Sequence, residues 1–238
     1  MSERVCETPR EFIPWVPLNG NMAKDLAIIL NNGTVNSAVV TALAAQKYRP
    51  VMVHIEQAPA TASRARAAYD QQVAHFKPYR EHSISLATSA HPTPEKKASA
   101  ADQRQATPLA PRLQELLPML ALAAGFGAAY HASAIYLGLR VGPDGDDLAQ
   151  ATEFGQIWNE LLQLPCALPE LEITMPLLEL EPWQVIDLGF QVAAPFEKTW
   201  SCVEEAGEPC WACVGCRARE QAFERTGRPD PLRVVRKV

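Results

Sequence analysis

The residues best equipped for chemistry crowd near the end of the chain, in SCVEEAGEPCWACVGCRAREQAF, where Cys202, Cys210, Cys213 and Cys216 follow the spacing C-x7-C-x2-C-x2-C. Two overlapping C-x2-C steps let one short turn present thiolates to a single ion, and the seven-residue excursion brings the first cysteine back to close a tetrahedron. Four sulfur ligands predict a closed, structural zinc site. An iron–sulfur cluster or a C-x2-C redox pair uses related spacings, and plain buried thiols are the bland alternative that such crowding disfavours. Cys6 and Cys166 stand alone. In a reducing compartment this clustering argues for metal over disulfides.

A second stretch, DLAIILNNGTVNSAVV from Asp25 to Val40, has the layout of a phosphate-binding loop: an apolar run, a break at Asn31-Asn32-Gly33, then apolar residues at helical spacing. Such a loop works because backbone N–H groups and a helix N-terminal dipole converge on an anion, with glycine permitting close approach. Asn31, Asn32, Gly33, Thr34, Asn36 and Ser37 are therefore the candidate nucleotide ligands. Asparagine tolerates the left-handed backbone, and the Thr34 and Ser37 hydroxyls are expected as donors. His54 and Glu56 follow at the end of the next apolar run, where α/β sites gather.

The elements that must hold these residues alternate. Continuous apolar runs predict strands at Leu26–Leu30 and Val51–Ile55, with shorter ones at Ile84–Leu86, Ser133–Gly138 and Leu171–Met175. Helical spacing covers Thr34–Lys47, Ala60–Phe76, Leu113–Ala129 and Leu148–Leu164, and Pro182 opens a short helix expected to end at Gly189. Asp144, Asp146 and Asp147 form an acidic turn. The pattern predicts an α/β doubly wound, mostly parallel sheet over residues 22–195, an N-terminal arm over 1–21, a polar, flexible lid-like loop over 88–107 and a zinc-binding C-terminal region over 196–238.

Composition excludes less than it suggests. Lys plus Arg is 22 against 27 Asp plus Glu, a net charge of −5, and there is no basic stripe interleaved with aromatics for nucleic acid. The start lacks the order of a signal peptide and no apolar run approaches the roughly 20 residues of a membrane span, so a soluble, cytoplasmic protein is expected.

PLLELEPWQVIDLGF, the cysteine stretch from Thr199 and the closing GRPDP together resemble the C-terminal part of the 7-cyano-7-deazaguanine synthases. Thr199, Trp200, Ser201, the four cysteines, Arg219, Ala222, Phe223, Gly227, Pro229, Asp230 and Pro231 carry the match. Upstream, SAIYLGL and the Pro111-Arg112 pair are similar to further family segments, and residues 31–37 occupy the position of its pyrophosphate loop, Ser-Gly-Gly-x-Asp-Ser. The resemblance implies an adenine nucleotide α-hydrolase-like fold, ATP with magnesium, and Arg112 as a candidate catalytic group facing phosphate. It also implies a nucleotide-binding role for Gln57 and a homodimer.

The reaction implied is ATP-dependent ligation: a deazapurine-type carboxylate is activated as an adenylate, ammonia gives the amide, and a second ATP dehydrates it to the nitrile. Activation is chemically required because a carboxylate is inert to ammonia until one oxygen becomes part of a leaving group. The chain departs from the family at Asn36, where an aspartate is expected, at Leu113 for an asparagine and at Ser133 for an aspartate, and GPDGDDLAQAT has no good equivalent of Tyr-Pro-Asp-Cys-Arg. The alternative is a catalytically impaired homologue, a zinc-stapled binding or scaffold protein.

Overall fold

The computed structural model describes residues 25–56, 62–86, 108–143, 145–203 and 207–234. The expected arm over 1–21, the loop over 88–107, Gln57 and Asp144 lie outside them.

Five parallel strands form one sheet in the order β3-β2-β1-β4-β5: β1 (Leu26–Leu30), β2 (Arg49–Glu56), β3 (Arg80–Ser85), β4 (Ala134–Leu137) and β5 (Glu172–Thr174). The helices between them are α1 (Val35–Lys47), α2 (Ala62–Phe76), α3 (Leu109–Tyr130) and α4 (Asp146–Gln163), followed by α5 (Pro182–Gln191), α6 (Val214–Thr226) and α7 (Pro231–Val234). This is the doubly wound α/β class expected from the alternation. The chain leaves β1 toward β2 and β3, then returns through α3 to the other side of β1, so β1 and β4 border the switch point where α/β sheets open a crevice.

Both sheet faces are covered, which is why β1 reads as an unbroken apolar run. Its side chains alternate between two cores: Ile28 and Leu30 pack with Leu113, Leu120 and Ala123 of α3, while Ala27 and Ile29 pack with Val39 and Val40 of α1 and Val185 and Ile186 of α5. β3 begins four residues before its expected start; its pleat alternates exposed and half-buried side chains, and as an edge strand it is paired on one side.

Two other expectations need correction. Gly189 does not end α5, which continues to Gln191; a Cβ there would lie 2.3 Å from the Phe196 ring, so the glycine serves close packing. Among the described residues α3, at 22 residues and mean hydropathy 1.2, does have the length and composition of a membrane span, though it lays Leu113, Leu120 and Ala123 against the sheet. Pro118 sits inside α3 without breaking it.

Candidate functional site

The loop after β1 leaves the sheet at the C-terminal end of the strand and enters α1 through Thr34, the N-cap. Gly33 turns it with φ +78°, and a Cβ at that position would meet the Ala65 carbonyl at 2.3 Å, so only glycine serves. The strand-loop-helix placement is as expected. The polar chemistry is different.

Asn31 is buried and points into the protein: its Nδ2 donates to Thr41 Oγ1 at 3.0 Å and to Gln72 Oε1 at 2.8 Å, and its Oδ1 accepts the Gly33 N–H at 2.8 Å. Asn32 Oδ1 collects the Thr34 N–H at 3.3 Å, the Thr34 hydroxyl at 2.8 Å and the Ser37 hydroxyl at 2.6 Å. Ser37 Oγ takes the Asn32 N–H at 3.2 Å, and Thr34 Oγ1 takes the Ser37 N–H at 3.5 Å. The backbone donors of Asn32, Gly33, Thr34 and Ser37 are thus satisfied by the loop's own side chains. Within residues 31–37, the N–H groups of Val35 and Asn36, in the first turn of α1, make no hydrogen bond among the described residues and remain for an anion.

The Thr34 and Ser37 hydroxyls, expected as donors to phosphate, line the cavity and in this structure both donate to Asn32. Asn36 is not a weakened copy of a carboxylate either, because its Nδ2 donates to the Gly138 carbonyl at 3.0 Å, tying α1 to the end of β4. An aspartate there could not make that bond. No acidic residue stands in the first turn of α1. The residues present do not fit a magnesium triphosphate: reaching one would require breaking several loop hydrogen bonds, each worth about 0.5 to 1.5 kcal/mol net.

Above the loop lies a cavity of about 690 Å³ bounded by the ends of β1, β2 and β4 and by α3. Arg112 lines it, as its resemblance to a family residue suggested, but its Nη2 donates to the Arg140 carbonyl at 2.7 Å. Leu116, Met119 and Leu139 supply an apolar side, and Glu56 and Glu115 bring two carboxylates. His54 is 3% exposed and stacks on Tyr69, with ring centroids 4.8 Å apart. Burial depresses its pKa below the usual histidine range, opposed by the bond to the Asn31 carbonyl. His131 is the left-handed C-cap of α3, and Trp200 carries the Arg64 guanidinium over its ring.

The four cysteine sulfurs all lie within 4.8 Å of one another, a set of donors able to hold one metal ion. The chain is wound so that N–H groups orient them: Cys210 N–H points at Cys202 Sγ, Cys213 N–H at Cys210 Sγ and Cys216 N–H at Cys213 Sγ, at 3.3 to 3.4 Å. Those donors favour thiolate, and the Ala212 and Cys213 amides pull the Cys210 pKa down to about 7. Behind the cluster, Arg219 forks onto Asp230 at 2.6 and 2.8 Å and also donates to Thr199 Oγ1 and the Phe196 carbonyl, with both charged side chains buried. One guanidinium thereby joins the Thr-Trp-Ser-Cys segment to the Gly-Arg-Pro-Asp-Pro segment.

The two regions touch. Trp200 N–H donates to the Gly33 carbonyl at 2.9 Å, and Gln72 spans from Asn31 to the Lys198 carbonyl, accepting at 2.8 Å and donating at 3.1 Å. Gln72 is fully buried, yet no feature of its sequence neighbourhood announces it. Ser201, next to Cys202, lines the cavity.

A doubly wound parallel sheet with a switch-point cavity, the layout of a phosphate loop and an appended four-thiol tail define the class of α/β protein to which this chain belongs. The family model for "Queuosine biosynthesis protein QueC" matches residues 26–227, and the chain belongs to that family. Among curated relatives, the 7-cyano-7-deazaguanine synthase of Chloroherpeton thalassium is 26% identical over 87% of this chain and 95% of its own length. That of Acidobacterium capsulatum is 24% identical over 88% and 96%. The synthase of Chlorobium chlorochromatii is 35% identical over a shorter 81-residue stretch, 33% of this chain and 35% of the relative. An NMN synthetase structure from Francisella tularensis aligns over 87% of this chain and 79% of its own at 15% identity and TM-score 0.45, too distant for any functional inference. Family and relatives together support a 7-cyano-7-deazaguanine synthase-like role.

Proposed function

We propose that within this role the chain acts as a binding protein: it holds a heterocycle of the deazapurine class in the switch-point cavity and does not carry out ATP-driven ligation. The observation that supports this reading is the engagement of the Asn32, Gly33, Thr34 and Ser37 N–H groups by the loop's own oxygens. A catalytic phosphate loop must offer such donors to the anion. The four thiols are proposed to hold zinc as a structural staple, since four sulfurs on a tight turn leave no open coordination position.

Isothermal titration with ATP and magnesium tests the reading directly. A flat trace at millimolar nucleotide, with no pyrophosphate or AMP released from carboxydeazaguanine and ammonia, is the expected result. Turnover would overturn it. The second reading is the full ATP-dependent C–N ligase, through adenylate and amide to the nitrile. It is favoured by the cavity's position at the strand ends and by Arg112 on its wall.

A further inference from the structure

One wall of the cavity carries a pair of acceptors with no donor between them. His54 Nδ1 lies 2.9 Å from the Asn31 carbonyl, which can only accept, so Nδ1 holds the ring proton and Nε2 is left as a bare lone pair. That Nε2 stands 3.8 Å from Glu56 Oε1, beyond hydrogen-bond reach and with no proton to share. The His54 side chain is 4% exposed and has no other hydrogen-bond partner for Nε2 among the described residues, while both residues line the cavity. Stacking on Tyr69, whose hydroxyl is anchored to the Met52 and His82 carbonyls, keeps the imidazole from turning to a better partner. Arg66 approaches the same Glu56 oxygen only to 3.7 Å and spends its Nε on Asp70. Two fixed acceptors at a cavity wall select whatever brings donors to both.

We infer that His54 and Glu56 form the specificity wall of this cavity, reading the adjacent ring N–H and exocyclic amine of a 2-amino-substituted heterocycle of purine size. This rests on the binding-protein reading and deepens it. A ligand presenting oxygens at this edge meets two acceptors and is rejected; one presenting N–H groups satisfies a lone pair at the cavity wall and a carboxylate together. The apolar face supplied by Leu116 and Met119 suits the flat ring.

Titration of the full chain with guanosine, inosine and guanosine triphosphate with magnesium separates the two ideas. Guanosine and inosine differ by one amine, and the wall should favour guanosine by about 10 to 100-fold, the cost of leaving one charged acceptor without a hydrogen bond. Glu56→Gln, which replaces an acceptor oxygen by a donor, should bring the two nucleosides within about threefold of each other while the thermal midpoint stays that of the parent. His54→Phe, which keeps the stack, should also weaken guanosine, with folding checked by circular dichroism. Equal affinity for the two nucleosides, discrimination that survives Glu56→Gln, or no guanosine binding at about 1 mM overturns the inference. A triphosphate that binds more tightly than guanosine overturns the binding-protein reading and leaves the wall standing.

Discussion

The cysteine tail and the loop after β1 use the same device to opposite effect. In the tail, backbone N–H groups donate to Cys202, Cys210 and Cys213 sulfurs, and those bonds leave the remaining sulfur lone pairs converging on one point. In the loop, backbone N–H groups donate to Asn31, Asn32, Thr34 and Ser37 oxygens, and those bonds occupy four of the donors an anion would use. Local capping of N–H groups builds a cation site where the acceptors are the ligands. It narrows an anion site where the donors are. A hydrogen bond from Trp200 N–H to the Gly33 carbonyl links the two, so the comparison can be broken from either side.

Metal removal has the largest expected effect. One equivalent of zinc per chain should be found, and stripping it should remove stabilisation on the order of 10 kcal/mol from the tail, because ion binding and local folding are coupled there. Hydrogen exchange at residues 31–37 should quicken in the same sample as the Trp200 contact is lost. Unchanged exchange would show that the two regions are independent. Next is Arg219→Ala, which strands a buried Asp230 carboxylate and should cost about 3 to 5 kcal/mol in urea unfolding.

Asn36→Asp bears most directly on the loop. It removes the donor to the Gly138 carbonyl and sets a carboxylate against it, so stability should fall by about 1 to 3 kcal/mol with no gain in ATP affinity. A gain in affinity would mean that the loop is a weakened catalytic cradle. The smallest effect comes from His54. Its folded pKa is depressed below 6.5, so the unfolded chain binds the proton more readily, and this contribution is present above pH 6.5 and fades as pH falls toward the folded value. The difference in urea midpoint between the parent and His54→Phe should therefore narrow between pH 7.5 and 5.5.

Much of this molecule was legible in residue order. The apolar run Leu26–Leu30, the break at Gly33 and the helical spacing after Thr34 announce a strand, a turn and a helix because each depends on local backbone preference and two-sided burial. The cysteine spacing announces a metal site because all four ligands fall within fifteen residues. The edge strand was harder, since β3 alternates polar residues on a single paired side.

What residue order alone determined is the parallel α/β plan, the four-thiol tail and the absence of the expected aspartate at residue 36. Only the tertiary structure decided what the altered loop does instead. Asn31 reaches Gln72, 41 residues away, Asn36 reaches Gly138, 102 residues away, and Gln72 reaches Lys198, 126 residues away. A hydrogen bond is directional and effective only at contact distance, so partners so far apart in the chain are chosen by the packing of the sheet and its helices, and no local pattern records them.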